Sequence, residues 1–304
     1  MLLYTHSACL AHQAGPGHPE SPLRLQAVLE ALDSDRFAAL DRIEAPRATR
    51  EQLARTHDAA LIDLIFDNAP RQGFVRLDAD TAMSPDSLEA ALRAAGAVCA
   101  AVDAQIERRA TRAFCAVRPP GHHATRNTPM GFCLFNNIAV GAAQALARGI
   151  ERVAIFDFDV HHGNGTQDIF WNSPNVLYAS THQWPLYPGT GAREETGAGN
   201  IVNAPLPPGA GSREFRAACA EIVLPALRAF RPQLVMISAG FDAHRLDPLA
   251  DLNLDGDDYA WVTRELVDVA HTHAAGRVIS SLEGGYSPTA LRESTTAHVG
   301  ALLA

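Results

Sequence analysis

The sequence predicts a single α/β domain over residues 1–304, with a mostly parallel central sheet flanked by helices on both faces. Three observations predict it. Short apolar runs alternate with longer helical stretches along the chain, the pattern of a parallel sheet covered on both sides. No repeat, low-complexity tract or linker interrupts that alternation. Five of the apolar runs also end in unusual polar residues, and the carboxyl ends of the strands are where open α/β sheets bind ligands.

The elements follow in chain order. An apolar strand is expected at 1–5, then helices at 22–33, 50–67 and 85–109. The last opens on Pro85 and is rich in small residues, which suits close packing on a sheet. Strand 113–117 leads into Arg118-Pro119-Pro120-Gly121-His122-His123, followed by helix 137–148. Strand 153–157 leads into Asp159 and His161, strand 176–180 into Thr181-His182, and 200–204 is another strand. Helix 212–230 precedes strand 234–238, which leads into Gly240-Phe241-Asp242. Helix 256–274 precedes strand 277–281, which leads into Glu283-Gly284-Gly285-Tyr286, and helix 288–303 ends the series. The Pro/Gly-rich segments 185–199 and 205–211 are loops.

Composition narrows the function. With 47% hydrophobic and 19% charged residues the chain is globular. A net charge of −9 and the lack of a basic stripe argue against nucleic acid as partner. The start, MLLYTHSACLAHQ, lacks the basic and long apolar parts of a leader, and no run is long enough to span a membrane. Cys9, Cys99, Cys115, Cys133 and Cys219 are odd in number with no CxxC spacing, so reduced core thiols and a cytoplasmic location are expected.

The segment 153–164, VAIFDFDVHHGN, carries most of the chemistry. Asp159 and His161 are two apart and point the same way from an extended strand end. A carboxylate and an imidazole are ligands that Zn²⁺ accepts, and a catalytic Zn²⁺ takes three protein ligands and leaves a position open. Asp242, after an apolar strand and a Gly, is the third candidate; alone it would read as a cap or turn carboxylate. His122 and His123 suit proton handling, with Asp157 and Asn164 as candidate orienting partners. Tyr286 on its Gly-Gly support can donate to an oxyanion. The set specifies metal-assisted hydrolysis of an amide or ester. No nucleophile elbow or phosphate-cradling loop is present, and GAREETGAGN at 191–200 reads as a loop.

The blocks RPPGHHA (118–124), GFCLFNNIAV (131–140), DFDVHHGNGTQ (157–167), YPGTG (187–191), SAGFDAH with DPL (238–249) and LEGGY (282–286) make the chain resemble the histone deacetylase superfamily. That superfamily includes acetylpolyamine amidohydrolases, and the chain is most similar to its bacterial class II-like members. The resemblance implies an arginase-like fold and one histone deacetylase-like catalytic domain. It matches Asp159, His161 and Asp242 to ligands of one Zn²⁺ per chain, and His123 to the general base and acid. His122 matches its electrostatic neighbour with Asp157 as partner, Asn164 stands where class II members have Asn, and Tyr286 matches the oxyanion donor. Gly131, Phe132 and Tyr187 match the acyl-tunnel wall, Leu249 its rim, Asp80 a rim anchor for substrate backbone, and Arg24 an inner-cavity residue. A structural K⁺ is implied at the side chains of Asp157 and Ser180, with main-chain oxygens including that of Thr181.

The expected reaction is deacetylation of acetyl-lysine or a similar acylated amine. An acetylpolyamine amidohydrolase is the alternative: acidic loops near Asp80 and Glu194-Glu195 could draw a polycation, while Leu249 is not the acidic gatekeeper of one polyamine branch. A binuclear Mn²⁺ ureohydrolase would need further bridging ligands, and a non-catalytic sensor would carry a damaged site; the motifs show neither. The natural amine, the acyl length, Zn²⁺ against Fe²⁺ and any homo-oligomer stay open at this level.

Overall fold

The computed structural model describes residues 1–304. The strands in chain order are β1 (Leu2–Thr5), β2 (Asp41–Glu44), β3 (Val75–Arg76), β4 (Ala82–Met83), β5 (Arg112–Cys115), β6 (Val153–Asp157), β7 (Val176–Gln183), β8 (Ile201–Leu206), β9 (Leu234–Ala239) and β10 (Val278–Leu282). Eight form one parallel sheet in the order β2-β1-β5-β10-β9-β6-β7-β8, and β3 pairs with β4 in a separate antiparallel ribbon. The central strands are apolar at nearly every position because both faces are covered, and every residue of β6, β9 and β10 is buried. Helices Ser87–Ile106 and Asn137–Ala147 pack together, as do Pro22–Leu32, Gly256–His273 and Pro288–Leu303. One cluster of 69 buried apolar residues joins the sheet to these helices, so a single main core organises the domain. No helix is long and apolar enough to cross a membrane.

The structure departs from the sequence expectation in several places, among them the helix Ser7–Ala11 and the β3–β4 ribbon, which were not expected. Strand β2 is absent from the expected list because DRIE is polar and largely exposed on the sheet edge, so it shows no apolar run. The expected helix 50–67 is two helices, Arg50–Leu53 and Ala59–Asp67, separated by a turn in which the His57 ring bridges Thr125 O and Asn136 N. The expected helix 212–230 contains a wide turn at Cys219–Val223 just before Pro225, which has no N–H to donate back along the helix. A short helix, Asn164–Phe170, sits directly after the DFDVHHG segment.

Order β9-β6-β7 brings the three most polar strand ends side by side. Asp157 at the end of β6 is in register with Ser180 of β7 on one side and Ser238 of β9 on the other. The sequence segments beyond those ends build the site.

Candidate active site

Asp159, His161 and Asp242 converge, each offering one ligand atom within 4.8 Å of the others. His161 Nδ1 is 3.1 Å from both Asp159 Oδ1 and Asp242 Oδ2. Both carboxylates are buried, and backbone amides fix them: Gly284 N donates to Asp159 Oδ2 at 2.8 Å and Val160 N to Asp242 Oδ1 at 2.9 Å. Burial would raise Asp159, yet His122 and His161 hold it below the usual carboxylate range. Asp242 goes the other way, pushed up by burial and by the charge of Asp159. Two buried carboxylates and an imidazole nitrogen aimed at one point are a donor set that fits a divalent metal ion, because a cation relieves the like-charge repulsion. No second group of three or more His, Cys, Asp or Glu side chains has this geometry.

The adjacent histidines face different partners. His122 Nδ1 lies 3.0 Å from Asp157 Oδ2, and its ring is buried. Burial alone would lower His122, but the Asp159 and Asp157 carboxylates push it up to about 10. His123 Nδ1 lies 2.8 Å from Asn164 Oδ1, an acceptor, so Nδ1 carries the proton and Nε2 is left as the basic nitrogen. Burial, then the neighbouring His122 and His161, lower His123 well below its ordinary range.

A cavity of about 210 Å³ opens above this group, lined by Asp80, His123, Gly131, Phe132, His161, Leu186, Tyr187, Leu249 and Tyr286. The sequence expectation placed Asp80, Gly131, Phe132, Tyr187 and Leu249 here; Leu186 is the lining residue it missed, an ordinary Leu before Tyr187. Gly131 has φ 56°, and a side chain there would run into the His123 ring. The Tyr187 ring meets the edge of His123 with centroids 5.2 Å apart. Burial raises the Tyr286 phenol well above its ordinary value, with Arg24 opposing, so it is a neutral donor at neutral pH.

Arg24 does not line the cavity. It lies buried behind Tyr286, its guanidinium 4.8 Å from the ring centroid, and donates to the carbonyls of Gly285 and Glu283. Glu20 binds both Arg24 and Arg118, and all three are buried. Burial would raise Glu20, but Arg118, His12 and Arg24 hold it well below the usual carboxylate range. Glu283 is a second supporting residue with no role in the sequence reading. Its Oε2 accepts from Gly121 N at 2.6 Å and His122 N at 3.1 Å, fixing the loop that carries the histidine pair. Its only sequence signal was an acid directly after an apolar strand.

Next to the Asp159–His161–Asp242 group, Asp157 also takes hydrogen bonds from Asp159 N (3.1 Å) and Tyr178 OH (3.2 Å). Ser180 Oγ is 2.9 Å from His182 Nδ1, and Thr181 Oγ1 is buried without a partner.

Comparison with known proteins agrees with this arrangement. The family model described as the histone deacetylase domain matches residues 18–302. A "Probable deacetylase" of Archaeoglobus fulgidus is 39% identical over 289 residues, covering 93% of this chain and 80% of that protein. A "Histone deacetylase-like amidohydrolase" of Pseudomonas aeruginosa is 41% identical, covering 92% and 80%. A crystal structure of an HDA15 HD domain superposes with a TM-score of 0.94 at 37% identity, covering 99% of this chain and 87% of the other. The chain belongs to the histone deacetylase family, and its fold is the arginase-like deacetylase fold.

Proposed function

We propose that this member of the histone deacetylase family is a Zn²⁺-dependent deacetylase of acetyl-lysine side chains. One observation carries the reading: the Asp159–His161–Asp242 group lies beside His123 and Tyr286 at a cavity whose walls are largely apolar. Such a cavity suits an aliphatic acylated arm, and the polar groups gather where its amide would be.

Asp159, His161 and Asp242 would hold the Zn²⁺, which when bound supplies Lewis acidity toward a carbonyl oxygen and a water. His123 Nε2, the nitrogen left basic by the bond to Asn164, takes the proton of the attacking water and returns it to the leaving amine. Tyr286 donates its phenolic hydrogen to the oxygen that gains charge. His122, held by Asp157 through Nδ1, is the electrostatic neighbour of His123. A structural K⁺ at Asp157, Ser180 and the Thr181 main chain belongs to the same proposal; the register pairing of Asp157 with Ser180 supports it.

The polyamine alternative is disfavoured by the mouth. Leu186, Tyr187 and Leu249 form it, with Asp80 as the one carboxylate among the lining residues. Glu195 is turned into its own loop, where its Oε2 accepts from Gln167 at 2.6 Å and Gly191 N at 3.0 Å.

The test is acetate release from an acetyl-lysine peptide and from N-acetylputrescine, measured side by side with Zn²⁺-loaded wild type and Tyr286→Phe. Faster peptide turnover that collapses in Tyr286→Phe supports the proposal. Preference for acetylputrescine moves the chain to the polyamine branch, and no turnover of either removes both readings.

A further inference from the structure

Tyr286 follows two glycines, and Gly285 sits at φ 117°, so nothing local fixes where the phenol points. Its position has to be set from outside the segment. On one side the buried Arg24 grips the Glu283 and Gly285 carbonyls. On the other side Asp247, from the turn after β9, accepts from Tyr286 N through Oδ2 at 2.7 Å. The other oxygen of the same carboxylate accepts from Leu249 N at 3.0 Å. Asp247 itself is 8% exposed, and its N–H is fixed to His244 O at 2.8 Å. One buried carboxylate thus ties together two residues that line the cavity, Tyr286 and the partly exposed Leu249.

We propose that Asp247 is the positioning residue of Tyr286, setting through its two backbone bonds where the phenol and the Leu249 rim stand relative to each other. This rests on the amide-hydrolysis reading above for its effect on rate, and on geometry alone for its effect on structure. A carboxylate can accept at both oxygens, whereas an amide in its place turns a donor toward one of the two N–H groups. A shift of the phenol by a fraction of an ångström weakens its bond to the reacting oxygen while leaving the arm's apolar contacts in place. The expected signature is therefore in kcat and not in KM.

Asp247→Asn and Asp247→Glu are compared in the Tyr286 and the Tyr286→Phe backgrounds with the acetyl-lysine peptide. In the Tyr286 background kcat is expected to fall about 10- to 100-fold with KM within about threefold. In the Tyr286→Phe background the same substitutions should cost less than about threefold, because the group they act through is gone. Equal losses in both backgrounds, or an unchanged kcat with Tyr286 present, overturn the proposal. Amide hydrogen exchange supplies a readout that needs no turnover. In Asp247→Asn the Tyr286 and Leu249 amides should exchange faster, with β9 and β10 unchanged. Unaltered exchange at both amides overturns the positioning role even if wild type proves inactive on acetyl-lysine, an outcome that would instead remove the deacetylase reading.

Discussion

His122 and His298 are both enclosed by protein, at 2% and 0% exposure, yet their surroundings drive them in opposite directions. His298 lies behind the sheet between Thr263 Oγ1 at 2.6 Å and Ser280 Oγ at 2.8 Å, and burial lowers it to about 3. His57 and His182, bonded to main-chain carbonyls and, for His182, a serine hydroxyl, are lowered by burial to about 4. At His122 the same desolvation is overridden by Asp159 and Asp157, and the ring is raised to about 10. Burial makes a histidine neutral; carboxylates placed at and just beyond the end of β6 make it part of a charged site. What separates the candidate active site from the core is the partner set and not the depth.

The sharpest way to break this comparison is to remove one residue from each region. His123→Ala and Tyr286→Phe should each lower kcat by roughly two to four orders of magnitude, with folding intact by circular dichroism. His298→Asn should leave kcat within about threefold and instead lower the urea midpoint, since two buried hydroxyls lose their shared partner. A His298 variant as inactive as the His123 variant would erase the distinction between the regions. An intermediate loss is expected from Asp157→Asn. It leaves His122 in place and removes the negative charge on its Nδ1 side, so activity should drop roughly 10- to 100-fold while the metal content per chain stays near wild type. Loss of the metal itself would show that Asp157 supports the ligands and not the histidine.

How much of this was visible in the sequence depends on where the information lies. The strand ends were legible: an apolar run ending in Asp157, Asp159 or Asp242 is a local contradiction that only a site resolves. Family motifs added the cavity wall, and Gly131, Phe132, Tyr187 and Leu249 do surround one cavity. The supporting charges were not legible. Glu20 and Arg118 are 98 positions apart, and nothing in either neighbourhood announces their pairing. Arg24 was named only from the family resemblance, and its grip on the Tyr286 loop was not legible, because it depends on helix Pro22–Leu32 meeting a segment 261 positions away. Strand β2 escaped notice for the opposite reason, being a polar edge strand whose pairing is entirely backbone.

The pH dependence of stability sharpens the comparison further. For His57, His182 and His298 the folded state binds a proton only near pH 3 to 4, whereas the unfolded chain binds one near 6.5. Between those values the unfolded state holds more protons, so the stability these residues contribute is complete above pH 6.5 and is lost as pH falls. Each contributes a slope of about 1.4 kcal/mol per pH unit inside that window. Urea unfolding from pH 7.5 to 5 should show the decline, and His298→Asn should flatten it by one histidine's share. A slope unchanged in that variant would mean His298 is protonated in the folded protein, contrary to its hydroxyl-only surroundings.

The smallest effect expected lies at the mouth. Leu249→Glu adds a carboxylate to a rim where Asp80 now stands alone, 37% exposure at Leu249 leaving room for the longer side chain. The added charge is partly screened, so the gain toward a cationic amine should be modest, about three- to tenfold in kcat/KM for N-acetylputrescine relative to the acetyl-lysine peptide. The gain should shrink at high salt, because an exposed charge pair is felt only within about one Debye length. A shift that persists at high salt would point to a change in cavity shape. No shift at any salt would mean the rim does not meet the amine, and that the choice between peptide and polyamine is made deeper, at the wall formed by Phe132 and Tyr187.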